Sequence, residues 1–497
     1  KLADFIDLVA IKNENNNEST PLKDPVTPKT SRLIYLIVTC LQFLTTILFY
    51  GLTATVLLVP LLLKDMIPNI TYTGIILGSL ASFVFFYLFW MALSIVAKWV
   101  VIGKFKEGSY PLWGFYYFRF WFVKKFIDMV PINLLTGTPF INWYFKLLGA
   151  KIGSNSFLGT DRLRVFDLIS IGEDSSLLKE STLLGYSIEN EMLHLGRITV
   201  GSRCFVGARA MLSMDTMMLD DSMLLELSML RDHETIPRGA VWKGSPARPF
   251  QLHHDYIPNT KKRIKGIKKV GFQFLQTLAF LFVLFFPLFM SAPFTYIYYV
   301  LINQYSLSLL ILSTIPLIAL FILLFCFSIS GLKWLLLGKQ KPMDIQLDSL
   351  LYIRKWIVDS MIFMSLFYFR SIYATLYLPL WLRTTGAKIG KRAEISTLNH
   401  LSADLLDIGN ESFLADSTSI GVPMVYHGTV NLRETSIGNR SFIGNGAVLL
   451  PGTKIGNDCL IGVLSTAPNI DGEKINGSSW LGSPPIFLPN RQESPKF

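Results

Sequence analysis

Residues 200–228 read VGSRCFVGARAMLSMDTMMLDDSMLLELS, and an aliphatic residue returns at every sixth place: Val200, Val206, Leu212, Met218 and Leu224. A small residue follows four places later each time, at Cys204, Ala210, Thr216, Ser222 and Ser228. Residues 437–465, IGNRSFIGNGAVLLPGTKIGNDCLIGVLS, carry the same pattern on Ile437, Ile443, Leu449, Ile455 and Ile461, with Ser441, Ala447, Thr453, Cys459 and Ser465 as the small set. A period of six with aliphatic and small residues in alternate inward places is what a triangular coil of short parallel strands needs. One side takes one hexapeptide, and three sides make a turn. Shorter runs at Ile171, Leu177, Leu183 and at Ile408, Leu414, Ile420 supply a preceding coil, so each repeat region holds three to four coils.

Outward from these runs the chain repeats itself. Lys98-Trp99 returns as Lys333-Trp334, Phe118-Arg119 with Trp121 as Ile353-Arg354 with Trp356, and the Gly149–Gly153 segment GAKIG at Gly386–Gly390. The offset of these segments is 235 to 237 residues, and Trp242-Lys-Gly-Ser-Pro246 then reappears 238 residues on as Trp480-Leu-Gly-Ser-Pro484. The chain is a tandem duplication. It is expected to divide into a transmembrane hairpin (33–106), an amphipathic linker (107–148), a β-helix domain (149–254), a basic linker (255–269), a second hairpin (270–341), a second linker (342–385), a second β-helix domain (386–490) and a tail (491–497).

The hairpins rest on composition. Of the 497 residues, 51% are hydrophobic and 16% charged, with 37 Phe, 19 Tyr and 10 Trp. That excludes a purely soluble enzyme and a disordered chain. Residues 33–63 and 66–97 are almost uncharged, as are 270–332, where Asn303-Gln-Tyr-Ser306 offers a polar turn. A span needs about 20 apolar residues, so four are expected. Lysine and arginine flank every outer end, among them Arg32, Lys98, Lys261-Lys262-Arg263 and Lys333. The positive-inside rule then puts both termini and both soluble domains on the cytoplasmic face of an inner or plasma membrane. The surplus of 46 Lys and Arg over 35 Asp and Glu has the same origin and does not argue for nucleic acid. The linkers mix aromatic residues with spaced Arg and Lys, which suits the membrane interface or a buried connector helix. The first residue is Lys, so a fragment or a processed product is expected.

The six-residue runs resemble the left-handed parallel β-helix of hexapeptide-repeat acyltransferases, and Gly244-Ser-Pro-Ala-Arg248 resembles the segment by which many of those enzymes leave the helix near coenzyme A. Two hairpins each followed by such a domain, with GVLS at 462–465 and SWLGSPPIFLP at 479–489, resemble the membrane-embedded C-terminal part of poly-lysine-synthetase-type nonribosomal peptide synthetases. Well-known members carry three soluble domains and six spans, against two and four here. The opening KLADFIDL resembles the last helix of a carrier domain, so 1–32 is expected to be a carrier tail and linker. The resemblance implies a condensing module that joins a carrier-bound aminoacyl thioester to an amine as an amide or isopeptide bond. Its partners would be the bilayer, upstream adenylation and carrier domains and an amino acid or amine, with a homodimer conceivable. The cofactor would be carrier phosphopantetheine, or acetyl-coenzyme A if the chain is instead a membrane-anchored acetyltransferase. A scaffold or exporter is the third reading, and the lack of ionisable groups inside the spans counts against transport.

Acyl transfer to an amine asks for a base and for donors to the oxyanion. Of six histidines, His253 and His254 follow the first solenoid, and His194 and His233 lie within it. His400 and His427 fall where the second repeat is interrupted. The second domain is therefore the expected catalytic one, with His400 or His427 as base and Asp404 or Asp416 orienting it. Asp404 matches Asp167 in the first copy. Gly444-Asn445-Gly446 could present amides or the Asn445 side chain to a thioester carbonyl. Arg248, Lys243 and Arg491, near the Gly-Ser-Pro exits, are expected contacts for phosphopantetheine. Cys459, at an inward small position, should be packed rather than nucleophilic. No metal site is expected, since the four cysteines are widely spaced.

Overall fold

The computed structural model describes residues 31–66, 71–251, 267–398, 402–468 and 476–489. In both repeat regions the hexapeptides form short parallel strands stacked into three sheets. Val200 pairs with Met218, and Met218 with Ile236, so one coil takes 18 residues, three hexapeptides. Val206 pairs with Leu224 on the second face and Leu212 with Leu230 on the third. The second solenoid stacks Ile408, Ile437 and Ile455 in the same way. The aliphatic set is buried throughout, and Cys204, Ala210, Ser222, Ala447 and Cys459 are buried with it. Small residues belong there because three strands converge on one axis and leave no room for longer side chains.

Corners explain the other half of the pattern. At 203, 209, 215, 221, 227, 233 and 239 the backbone is left-handed, with φ from +51° to +69°. Only the last is glycine, and the stacked coils above and below hold the others in a conformation that L-residues otherwise avoid. Side-chain acceptors knit the corners together. In the second solenoid the Lys391, Asn410, Asn439 and Asn457 amides donate in turn to the Oδ1 atoms of Asn410, Asn439, Asn457 and Asn476 at 2.7–2.8 Å. At Gly409 a Cβ would lie 2.5 Å from the Asn439 nitrogen of the next coil, so only glycine permits this stacking distance.

After Leu183 and after Ile420 the solenoid is interrupted, and the 17-residue interruption of each copy holds an ordered arm rather than an irregular loop. Tyr186–Glu189 pairs antiparallel with Met192–Leu195, and Met424–Tyr426 with Thr429–Leu432. Each hairpin gains a third strand from the linker, Gly108–Pro111 or Met343–Gln346.

The helices are α1 (Arg32–Met66), α2 (Tyr72–Ala97), α3 (Phe115–Met129), α4 (Pro139–Leu147), α5 (Ile267–Gln304), α6 (Leu307–Leu337), α7 (Leu350–Tyr368) and α8 (Tyr377–Thr384). Among them α1, α2, α5 and α6 contain stretches long and apolar enough to cross a membrane. The turn expected at 303–306 falls at Tyr305-Ser306, where Ser306 caps α6 through the Leu309 amide. At 1.5 Å per residue the 38 residues of α5 reach about 57 Å, well beyond a hydrocarbon core of about 30 Å. Its first half buries Gln276, Phe280, Val283 and Leu284 within the protein. Of the two linker environments foreseen, α7 takes the buried one, with Ile353, Trp356, Ile357 and Met361 inside. Helix α8 instead leaves Tyr377 and Leu380 exposed.

Each copy fastens helix to solenoid with the same clamp. Where α2 ends, Lys98 Nζ lies 2.8 Å from Asp167 and 3.3 Å from the Trp99 ring centroid, and the Trp99 indole donates to Leu147 O of α4. Lys333 of α6 lies 2.7 Å from Asp404 and 3.5 Å from the Trp334 ring centroid, and the Trp334 indole donates to Thr384 O of α8. Both Asp carboxylates also accept a backbone amide from just beyond the helix, from Phe105 and from Gln340. Desolvated ions need such partnering.

Candidate functional site

The solenoids do not stand apart. The second arm lies on the outer face of the first solenoid, with the Tyr426 ring 5.6 Å edge-on from Phe205 and its hydroxyl donating to Arg203 O at 3.3 Å. Met424, Val425, Val430 and Leu432 join Leu178, Met223 and Leu225 in one buried cluster. Arg209 fastens the corners. Its Nε donates to Glu180 at 2.7 Å, its Nη1 to Gly446 O and its Nη2 to Ser417 O, both at 2.7 Å. Arg209 and Gly446 are the same corner position in the two copies, 237 residues apart. Further along, Ser483 Oγ donates to Glu226 O at 3.0 Å.

Between these contacts runs a cleft of about 1250 Å³. Both chain exits open on it, Gly244-Ser245-Pro246 from the first solenoid and Gly482-Ser483-Pro484 from the second. The two exits are built alike. Gly244 N donates to Ser228 Oγ and Gly482 N to Ser465 Oγ, at 2.9 and 2.7 Å, and both Ser–Pro bonds are cis. Arg162, Arg209, Lys243 and Arg248 face Glu180 and Asp416, so the charged lining is net positive. Met211, Leu227, Met229, Leu464 and Ile486 supply an apolar wall. A long ligand with an anionic end and an apolar body matches such a lining.

Of the residues singled out in the sequence, four meet here: Lys243, Arg248, Asp416 and Asn445. Lys243 is buried, with its Nζ 5.4 Å from the Phe250 ring centroid, and burial pushes its pKa down against the opposing pull of Glu226. Arg248 is exposed and forms an ion pair with Glu234 at 3.1 Å. Asp416 accepts hydrogen bonds from the Ser396 and Thr397 hydroxyls. Asn445 has a structural duty, since its Oδ1 accepts the Asp416 amide at 3.1 Å as one more corner acceptor. Gly446 takes the left-handed corner itself, with φ +68°. The Gly-Asn-Gly segment therefore continues the repeat.

The others lie elsewhere. His427 sits at the hairpin turn of the second arm with φ +45°, its ring centroid 3.9 Å from that of Tyr426, and it is not among the cleft residues. Asp404 is committed to Lys333 and Gln340, with both side chains of the ion pair only 2% exposed. It is the second copy's clamp. In the first copy His194 lies within a strand of the arm and shares a 2.7 Å hydrogen bond with Ser109, while His233 occupies a solenoid corner. His400 and Arg491 lie outside the described residues, as do His253, His254 and the carrier-like opening. The described strand residue nearest before His400, Leu398, bridges to Thr418, two places from Asp416. Sequence reasoning missed Arg209 and Glu180, because every corner place carries the same register and nothing in the period marks the one that meets the other copy.

Residues 434–466 match the model of the bacterial transferase hexapeptide family (six repeats). The chain is 30% identical over 419 residues to the delta-poly-L-ornithine synthetase of Acinetobacter baumannii (strain AB307-0294), an alignment that takes in 82% of this chain. The chain spans 31% of the length of that relative. Among solved structures, a hexapeptide-repeat containing acetyltransferase from Vibrio cholerae aligns with 33% of this chain and 91% of its own at 10% identity, TM-score 0.21. A maltose O-acetyltransferase from Clostridium difficile 630 aligns with 33% and 87%, also at 10% identity, TM-score 0.18. The resemblance to poly-amino-acid synthetases with hexapeptide-repeat domains thus holds in sequence over most of the chain, and the matches support a transferase.

Proposed function

We propose that the chain is the membrane-embedded condensing part of a nonribosomal-peptide-synthetase-like enzyme. Its two helix pairs cross an inner or plasma membrane as hairpins, and each is followed by a left-handed β-helix on the cytoplasmic side. A phosphopantetheine arm delivers an aminoacyl thioester to the cleft between the solenoids. The thioester C–S bond breaks, a C–N bond forms with the acceptor amine, and the amine loses a proton while the thiol leaves. One observation carries the reading: both Gly-Ser-Pro exits and four cations converge on a single apolar-walled cleft, in a chain similar to a poly-ornithine synthetase over 82% of its length. Arg248 and Lys243, together with Arg491, are the proposed partners of the phosphate. Asp416, already fixed by two hydroxyls, is the proposed orienter of the base, for which His400 is the first candidate and His427 the second. Ornithine or another diamino acid is the proposed substrate class, and upstream adenylation and carrier domains are the proposed partners.

The test uses the full-length gene product in nanodiscs with ATP and a panel of amino acids and amines. Mass spectrometry follows both the product and the carrier thioester. Loss of product in His400→Ala or His427→Ala with the carrier still loaded is the expected result. A carrier that never discharges to any amine, with acetyl-coenzyme A consumed instead, overturns the proposal in favour of a membrane-anchored acetyltransferase.

A further inference from the structure

A second, smaller cavity of about 280 Å³ lies where α7, the first solenoid and the second arm meet. Its charged lining is balanced: Arg162, Lys179 and Lys355 against Asp161, Glu180 and Asp359. The rest is largely apolar or aromatic, including Phe157, Trp356 and Phe363. Lys355 is only 3% exposed and donates to Asp359 at 2.9 Å, one helical turn on, and to Ser402 Oγ at 3.1 Å. Burial and the nearby Lys355 push the Lys179 pKa down, and Asp359 opposes them.

Sinking the Lys355 ammonium into the protein interior is costly, and a buried ion pair is rarely more stable than apolar residues of the same volume. The first copy shows that the fold does not require it. At the 235-residue offset Lys355 matches Phe120, a buried core residue of α3, and Asp359 matches Lys124. The first copy lacks the pair at these positions, and in the second copy the helix faces a cavity lined by three cations and three carboxylates. Mutually compensating ions around a cavity, one of them a buried lysine, mark it as a candidate ligand site.

We infer that this chamber binds a free α-amino acid, its carboxylate toward Lys179 and Lys355 and its ammonium toward Asp359 and Asp161. Two residues, Arg162 and Glu180, line both the chamber and the cleft. Glu180 is held by Arg209, the residue that ties the two solenoids together. An amine waiting in the chamber therefore meets the cleft at the Arg162–Glu180–Arg209 cluster. This acceptor role rests on the proposed transferase function, whereas the binding itself does not.

The experiment is calorimetric titration of the full chain in nanodiscs, without carrier or ATP, with the twenty common L-amino acids and L-ornithine. For the amino acid that binds, its decarboxylated amine and its deaminated acid should both bind at least about tenfold more weakly, since each gives up one of the two charged contacts. Asp359→Asn and Lys355→Met should weaken binding by about tenfold or more. Ser360→Trp, which fills the chamber from its lining, should abolish it while the thermal transition is kept. Arg248→Ala in the cleft should leave amino-acid binding unchanged. Amino-acid binding here, with no product in the ATP-supplied assay of the full-length gene product above, would sink the transferase reading and leave the site standing. Absence of binding by every amino acid, or binding that survives both Ser360→Trp and Asp359→Asn, overturns the inference.

Discussion

Asp404 offers the sharpest contrast between two roles, a positioning residue for catalysis or half of a buried clamp. Its partner Lys333 lies 2.7 Å away, each side chain is 2% exposed, and the second carboxylate bond comes from the Gln340 amide. Asp404→Asn leaves the Lys333 ammonium buried without its counter-ion, which costs about 3–5 kcal/mol. Lys333→Met strands the carboxylate and should cost a similar amount. The double variant removes both charges, so its loss should fall well below the sum of the singles and below either one. Denaturant unfolding in detergent, followed by tryptophan fluorescence, reads this out directly, because the Lys333 ammonium sits 3.5 Å from the Trp334 ring centroid. The equivalent cycle at Lys98 and Asp167, 0% and 10% exposed, should give the same sign. If Asp404→Asn abolishes product while the unfolding midpoint stays put, the clamp reasoning is refuted and the residue works at the chemistry.

Other expectations are as direct. Cys204 and Cys459 are buried and in no disulfide, and burial raises the Cys204 thiol pKa, so maleimide should leave both unmodified in the folded protein and reach them only after denaturation. Equal labelling rates before and after denaturation, read by mass spectrometry, would contradict their inward packing. Arg209→Met deletes three hydrogen bonds from one charged group and should cost about 2–4 kcal/mol; limited proteolysis should then cut between the solenoids sooner than in the parent. Gly409→Ala forces a Cβ to within 2.5 Å of the next coil and should destabilise by at least about 2 kcal/mol, and a neutral effect on thermal unfolding would show that the coils can part. Lys243 titrates low in the folded protein because it is buried. Between that lowered value and the ordinary lysine range near 10.4 the unfolded chain holds a proton that the folded one has released, so this residue adds stability as pH rises. Lys243→Met should flatten that part of the stability profile, and an unchanged slope would mean that the ammonium is solvated.

Some of this was open to reading in the chain alone. A strict six-residue period names every inward residue of a solenoid, because each coil contacts only its neighbours and the pattern is local. Uncharged stretches name the four candidate spans for an equally local reason, since an isolated charge inside an apolar helix is costly. The 235-to-237-residue offset shows the duplication with no reference to structure. The cleft, the chamber and the clamps are of another kind. Asp404 and Asp416 look alike in the sequence, twelve residues apart, yet one is locked beneath α6 and the other lines the cleft. Arg209 shares its register with six other corner residues, and only the docking of the second copy makes it the latch. Outward faces carry no period, because what they meet lies more than two hundred residues away in the chain. Their partners are settled by how the two copies pack, and that packing exists only in three dimensions.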